Sequence, residues 1–101
     1  MVDQNRTKKK IINRLKSLEE LDGVAVTLSE RDQGTVYVRH KKEHALEFRF
    51  HWSSDHFIGH FIDANEQESQ AVVSLKTPMD AIHFVSAYDT LDRIRARQRK
   101  G

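Results

Sequence analysis

LEFRFHWSSDHFIGHFI, residues 46–62, consists of two alternating runs joined by a short polar break. Leu46, Phe48, Phe50 and Trp52 alternate with Glu47, Arg49 and His51 ahead of Ser53 and Ser54. Beyond that pair, Phe57 and Phe61 alternate with His56, Ile58, His60 and Ile62. A period of two is the signature of a strand, and a short polar break between two such runs is a hairpin. A two-residue loop at Ser53-Ser54 sets Trp52 opposite Asp55, Phe50 opposite Phe57, Phe48 opposite Gly59 and Leu46 opposite Phe61. Directly opposed residues share a face, so the aromatic set lands together on one side. Gly59 opposite Phe48 reads as room for a ring. The other side carries Glu47, Arg49, His51, His56 and His60, with Ile58 and Ile62 among them. In this register His51 faces His56, and Glu47 faces His60.

The segments on either side of this hairpin extend the sheet. Val24, Val26 and Leu28 alternate with Ala25, Thr27 and Ser29, and Val36 and Val38 alternate with Tyr37 and Arg39. Asp32-Gln33-Gly34 reads as the turn between them, with Leu28 opposite Val36 or Val38 so that the valines share a face. Lys41-Lys42-Glu43 is the next turn, strands over residues 45–52 and 55–63 follow, and residues 71–75 form a fifth short strand after a polar loop at 64–70.

Helices flank these strands. Ile11, Ile12, Leu15 and Leu18 fall on one face of a helix over residues 7–21, with Gly23 as its stop. Its charges oppose the helix dipole: Lys8, Lys9 and Lys10 stand at the positive end, Glu19 and Glu20 at the negative end. Thr77-Pro78 opens the last helix as N-cap and first helical residue, with Asp80 at the third position. Ala81, Phe84, Val85, Tyr88, Leu91 and Ile94 supply its apolar stripe, and His83 lies beside that stripe, where a partly buried, hydrogen-bonded histidine is expected. The predicted fold is α+β: a two-layer sandwich in the order α-β-β-β-β-β-α, an antiparallel meander of four to five strands with both helices on one sheet face. One helix on each face, covering Ile58 and Ile62, is the alternative.

Length and composition agree with one domain over residues 1–101, with basic tails at 1–6 and 97–101 expected to fray. The absence of cysteine excludes disulfides, a thiolate nucleophile and Cys-based zinc sites. No apolar run reaches the roughly 20 residues of a membrane span, and no signal-peptide pattern follows the N-terminal lysines. A soluble cytoplasmic protein is expected. Charge is unevenly spread. Residues 1–16 carry six basic side chains against Asp3, a net of +5, and residues 93–101 carry five with no acid, again +5. Residues 17–92 hold 6 basic and 14 acidic side chains, a net of −8.

Six histidines invite a metal or acid–base reading. His56 and His60 sit four apart on one strand, about 13 Å between Cα atoms, so they cannot share an ion. The pairs His51–His56 and Glu47–His60 each fall short of the three or four protein ligands zinc takes. Ser54, Asp55 and His56 are adjacent on a strand and point to opposite faces, so they form no triad. No cofactor motif and no identifiable small-molecule pocket is present, since the aromatics are needed as core.

The expected function is a non-catalytic protein-interaction module that self-associates, as a homodimer, or docks another protein. Its contact surface is the outer sheet face: Tyr37, Arg49, His51, His56, Ile58, His60 and Ile62. The alternative is a nucleic-acid-associated protein using Lys8, Lys9, Lys10, Arg14, Arg93, Arg95, Arg97, Arg99 and Lys100 to meet phosphates. A third reading is a small acid–base hydrolase using the histidine face.

Overall fold

The computed structural model describes residues 4–29 and 34–100. Helix α1 (Gln4–Lys16) tightens into a 3₁₀ turn over Ser17–Glu20. Five strands follow, β1 (Val24–Ser29), β2 (Thr35–His40), β3 (Phe48–Ser53), β4 (His56–Ile62) and β5 (Glu68–Leu75), and helix α2 (Pro78–Lys100) closes the chain. The strands form one open antiparallel sheet in the order β1-β2-β3-β4-β5. The expected α+β meander and element order are therefore present.

Both helices lie on the same face of this sheet. Ile11, Leu15 and Leu18 from the α1 segment, Ala81 and Tyr88 from α2, and Val36, Val38, Phe48, Phe50 and Phe57 from the sheet join one buried cluster. Phe84 sets its ring edge-on against both Phe48 and Phe50, 5.1 Å from each centroid to centroid. Burying the aromatic face against two amphipathic helices removes the largest apolar surface the chain owns, and that dictates the layering.

Boundaries differ where tertiary contacts outweigh local pattern. Helix α1 begins at Gln4, ahead of residue 7. Helix α2 runs to Lys100, so residues 97–100 are helical. Glu43 draws this end in, its carboxylate meeting Arg99 at 3.1 Å and Arg95 at 4.0 Å. β5 starts three residues earlier than alternation indicates, at Glu68. The turn expected at Asp32-Gln33-Gly34 lies mostly outside the described residues; Gly34 itself has φ 109°. Leu28 does pair with Val36.

The hairpin register differs by two residues from the expected one. The loop is Ser54-Asp55, with Ser53 opposite His56, Trp52 opposite Phe57, Phe50 opposite Gly59 and Phe48 opposite Phe61. A shift of two preserves every face, which is why the aromatic set still gathers on one side. Ser54 takes the positive φ that the tight loop demands, 59°. The helix cap is as the sequence indicates: the Asp80 amide donates to Thr77 Oγ1, while the Asp80 carboxylate accepts from the Lys76 and Thr77 amides.

Four expected positions are corrected. His83 is exposed, because it lies on the far side of α2 from the sheet. Leu91 and Ile94 are 47% and 44% exposed, since Asp92 takes the inward turn at that end of the helix, toward His40. Phe61 is 40% exposed at the margin of the aromatic face.

Candidate functional site

The uncovered face of the sheet can be laid out in rows. Pairing places Ser29, Thr35, His51, Ile58 and Ser74 in one row, and Thr27, Tyr37, Arg49, His60 and Ala71 in the next. A third row holds Ala25, Arg39, then Ile62 and Glu68. The face divides into two regions of different character.

The third row is an ion lattice. Arg39 donates to Glu66 at 2.8 Å and lies 3.9 Å from Glu47, and Arg49 pairs with Glu68. Glu47 is buried, accepting from the His40 amide and approaching His44 Nδ1 at 2.9 Å. It therefore serves Arg39, His40 and His44, and its register position opposite His60 passes to Arg49. Ile62 lies within this lattice and is only 3% exposed, so it drops out of the expected contact surface. Arg49 and Arg39 are likewise engaged by acids, and Arg39 also stacks on Tyr37, 5.2 Å from ring centroid to guanidinium carbon.

The first two rows carry the histidines. His51 and His60 point their Nε2 atoms at each other across 3.1 Å, with the rings within 13° of parallel. His60 Nδ1 lies 2.9 Å from the carbonyl oxygen of Ser69. A carbonyl only accepts, so Nδ1 of His60 holds the proton and its Nε2 accepts one from His51. His56 turns away to the Asp55 carboxylate at 2.8 Å, so the expected His51–His56 pairing is replaced by His51–His60. The physical reason is the two-residue register shift, which sets His51 opposite Ile58 and places His60 on its other side. Ile58 is half-buried in this region, and Val72, beside it on β5, is 49% exposed.

The pKa of His51 is held below the ordinary histidine value by burial first, then by His60, Arg49 and His56. The unfolded chain accordingly takes up a proton there before the folded chain does, and stability falls as pH drops below the ordinary value of 6.5. The urea midpoint is expected to decline between about pH 7 and 5, above the carboxylate range. His51→Gln should flatten that limb; an unchanged slope in the variant would remove His51 as its source.

The histidine region carries an open hollow of about 380 Å³ lined by His56, Ile58 and residues 71–74. A second groove of about 650 Å³, formed by Ala45, Phe61, Gln67, Ser69 and Arg95 among others, is lined by none of His51, His56 or His60, although His60 bonds its Ser69. Among the described residues, no three potential metal ligands of the His, Cys, Asp and Glu types converge. The buried histidine is His40, which no motif in the sequence singles out. Its Nδ1 accepts the Lys42 amide at 3.1 Å, leaving Nε2 to donate to Asp92 at 2.6 Å. Parity with Val36 and Val38 is the signal that could have found it, since residues 36, 38 and 40 of one strand must share a face.

The basic residues separate into two groups at opposite ends of the sheet. Lys8 lies over the Trp52 ring, 5.7 Å from its centroid, with Lys9, Lys10 and Arg14 along the same helix. Arg95 and Arg99 gather on Glu43 in the β2–β3 connection, and Arg93 pairs with Asp89. Most of β3, a six-residue strand of about 20 Å, lies between Glu43 and Trp52. Arg97 is exposed on α2, and Lys100 ends that helix. No helix among the described residues is long and apolar enough to cross a membrane. No family model matches this chain, and neither a curated protein nor a solved structure matches it.

Proposed function

We propose that this chain is a non-catalytic protein-interaction module that self-associates through the outer sheet strip of His51, His56, Ile58 and His60, extended by Val72. The observation that carries the reading is the contrast across this face. Its ionic third is internally paired and Ile62 in that row is buried, whereas the strip around Ile58 keeps apolar surface among the histidines. Surface of that composition suits a protein contact better than a phosphate backbone, because the nearby arginines are already neutralised by Glu66 and Glu68.

Light scattering coupled to size exclusion tests the reading. Ile58→Lys places a charge in the middle of the strip without entering the core, and it is expected to halve the mass of the assembly while leaving the melting temperature within a few degrees. An assembly of unchanged mass would reject the strip as the contact.

A further inference from the structure

The two edges of the sheet are built differently. β5 carries two register shifts against β4, between Gly59 and His60 and between His60 and Ile62, each inserting an extra residue in β5. Bulges twist an edge and discourage other chains from pairing with it. β1 has none of these protections. It reads Val-Ala-Val-Thr-Leu-Ser, pairs with β2 without a break over all six residues, and contains no charge and no proline. The Lys41 amide donates to the Gly23 carbonyl, so Val24, Val26 and Leu28 turn their backbone groups outward; the Val24 amide is taken by the Leu21 carbonyl at 3.2 Å, and Val26 and Leu28 offer the template to which an added strand binds.

The side chains of β1 suit a second β1. An antiparallel pair centred on Val26 would set Val26 against its own copy, Val24 against Leu28, and Ala25 against Thr27. Apolar residues then meet on the helix side, where Leu28 is left 38% exposed, and small residues meet on the outer side.

Charge supplies the third observation. Lys9 lies beside Leu28 and Ser29, at the end of β1. Glu19 and Glu20 are exposed in the turn that leads to its start, while Asp22 beyond them is engaged by Lys42. An antiparallel partner brings the acidic end of one copy to the basic end of the other, twice. Lys9 of one copy thereby faces Glu19 and Glu20 of the other, which gives these dipole-opposing charges of the α1 segment a purpose.

We infer that two copies of this chain pair antiparallel along β1, centred on Val26, into one ten-stranded sheet. This contact is separate from the outer strip around Ile58, and the Ile58→Lys background reads it alone. In that background, light scattering is expected to find two chains per particle. Adding Ala25→Lys with Thr27→Lys, which sets lysine against lysine on the solvated face, should return one chain per particle. Lys9→Glu should weaken the pair at least about tenfold.

Register is tested by cysteine pairing in the same background, because the chain has no cysteine of its own. Directly opposed antiparallel residues lie about 4.5–5.5 Å apart at Cα, within disulfide reach. An Ala25→Cys chain mixed with a Thr27→Cys chain should crosslink under mild oxidation, whereas neither alone should. One chain per particle after Ile58→Lys, with no mixed crosslink, overturns the β1 contact and leaves the strip reading standing. Two chains both before and after Ile58→Lys, with the mixed crosslink, supports the β1 contact and rejects the strip. A wild-type monomer at all accessible concentrations overturns both.

Discussion

Tyr88→Ala is expected to destabilise the fold by about 3–5 kcal/mol, read as a lower denaturant midpoint at unchanged slope. Tyr88 is 1% exposed and sits where α2, the aromatic sheet face and the β2–β3 connection meet. Its ring lies 6.0 Å from those of Phe48 and Phe84, so truncation opens a cavity lined by rigid aromatics that collapse poorly. Its hydroxyl also donates to the Leu46 carbonyl at 2.7 Å. Burial, then Asp92 and Glu47, push the phenol above its ordinary pKa, which keeps the donor proton in place. Tyr88→Phe separates the two contributions. It retains the ring and strands a buried carbonyl, at about 1–3 kcal/mol. A Phe variant as unstable as the Ala variant would contradict the cavity account. For a domain whose total stability is about 5–15 kcal/mol, the Ala loss is a large fraction.

Gly59 provides the second large effect. A Cβ built there would lie 2.6 Å from Cε1 and 2.9 Å from Cδ1 of Phe50. Phe50 is fully buried and packed edge-on by Phe84, so its ring has nowhere to go. Gly59→Ala should cost about 1–3 kcal/mol, and Gly59→Val more, because the branched side chain drives further atoms into the same ring. Phe50→Leu in the Gly59→Ala background should recover part of the loss. Strictly additive losses in the double variant would show that the ring is not what Gly59 accommodates.

Much of the fold is legible in the sequence because it rests on period-two and period-3.6 patterns. The meander, the aromatic face, the Thr77 cap and the glycine beneath a ring all follow from residue order. A loop at Ser53-Ser54 puts Phe48 above Gly59 where the fold uses Phe50, and this single displacement carries His51 from His56 to His60. Loop placement within Ser53–Asp55 is a choice of a few kcal/mol among turns, and alternation cannot arbitrate between registers two residues apart. The outer face looks uniform in sequence because its residues alternate uniformly. Its division into a self-paired ionic third and a histidine strip around Ile58 depends on Glu66 and Glu68, which lie beyond β4 and return to it only through the next turn.

Residue order is enough to set the sequence of elements, the apolar face of each strand and the helix cap, since each depends on neighbours within a few residues. Only the folded chain shows that Ile62 is covered and that His40 rather than His83 is the buried histidine. The same holds for the bulges of β5 beside an unbulged β1, and for Lys9 and the acids Glu19 and Glu20 at opposite ends of that edge. Those outcomes hinge on side chains from distant segments meeting at ångström distances, and the energy of such meetings is not written in the local pattern of either segment.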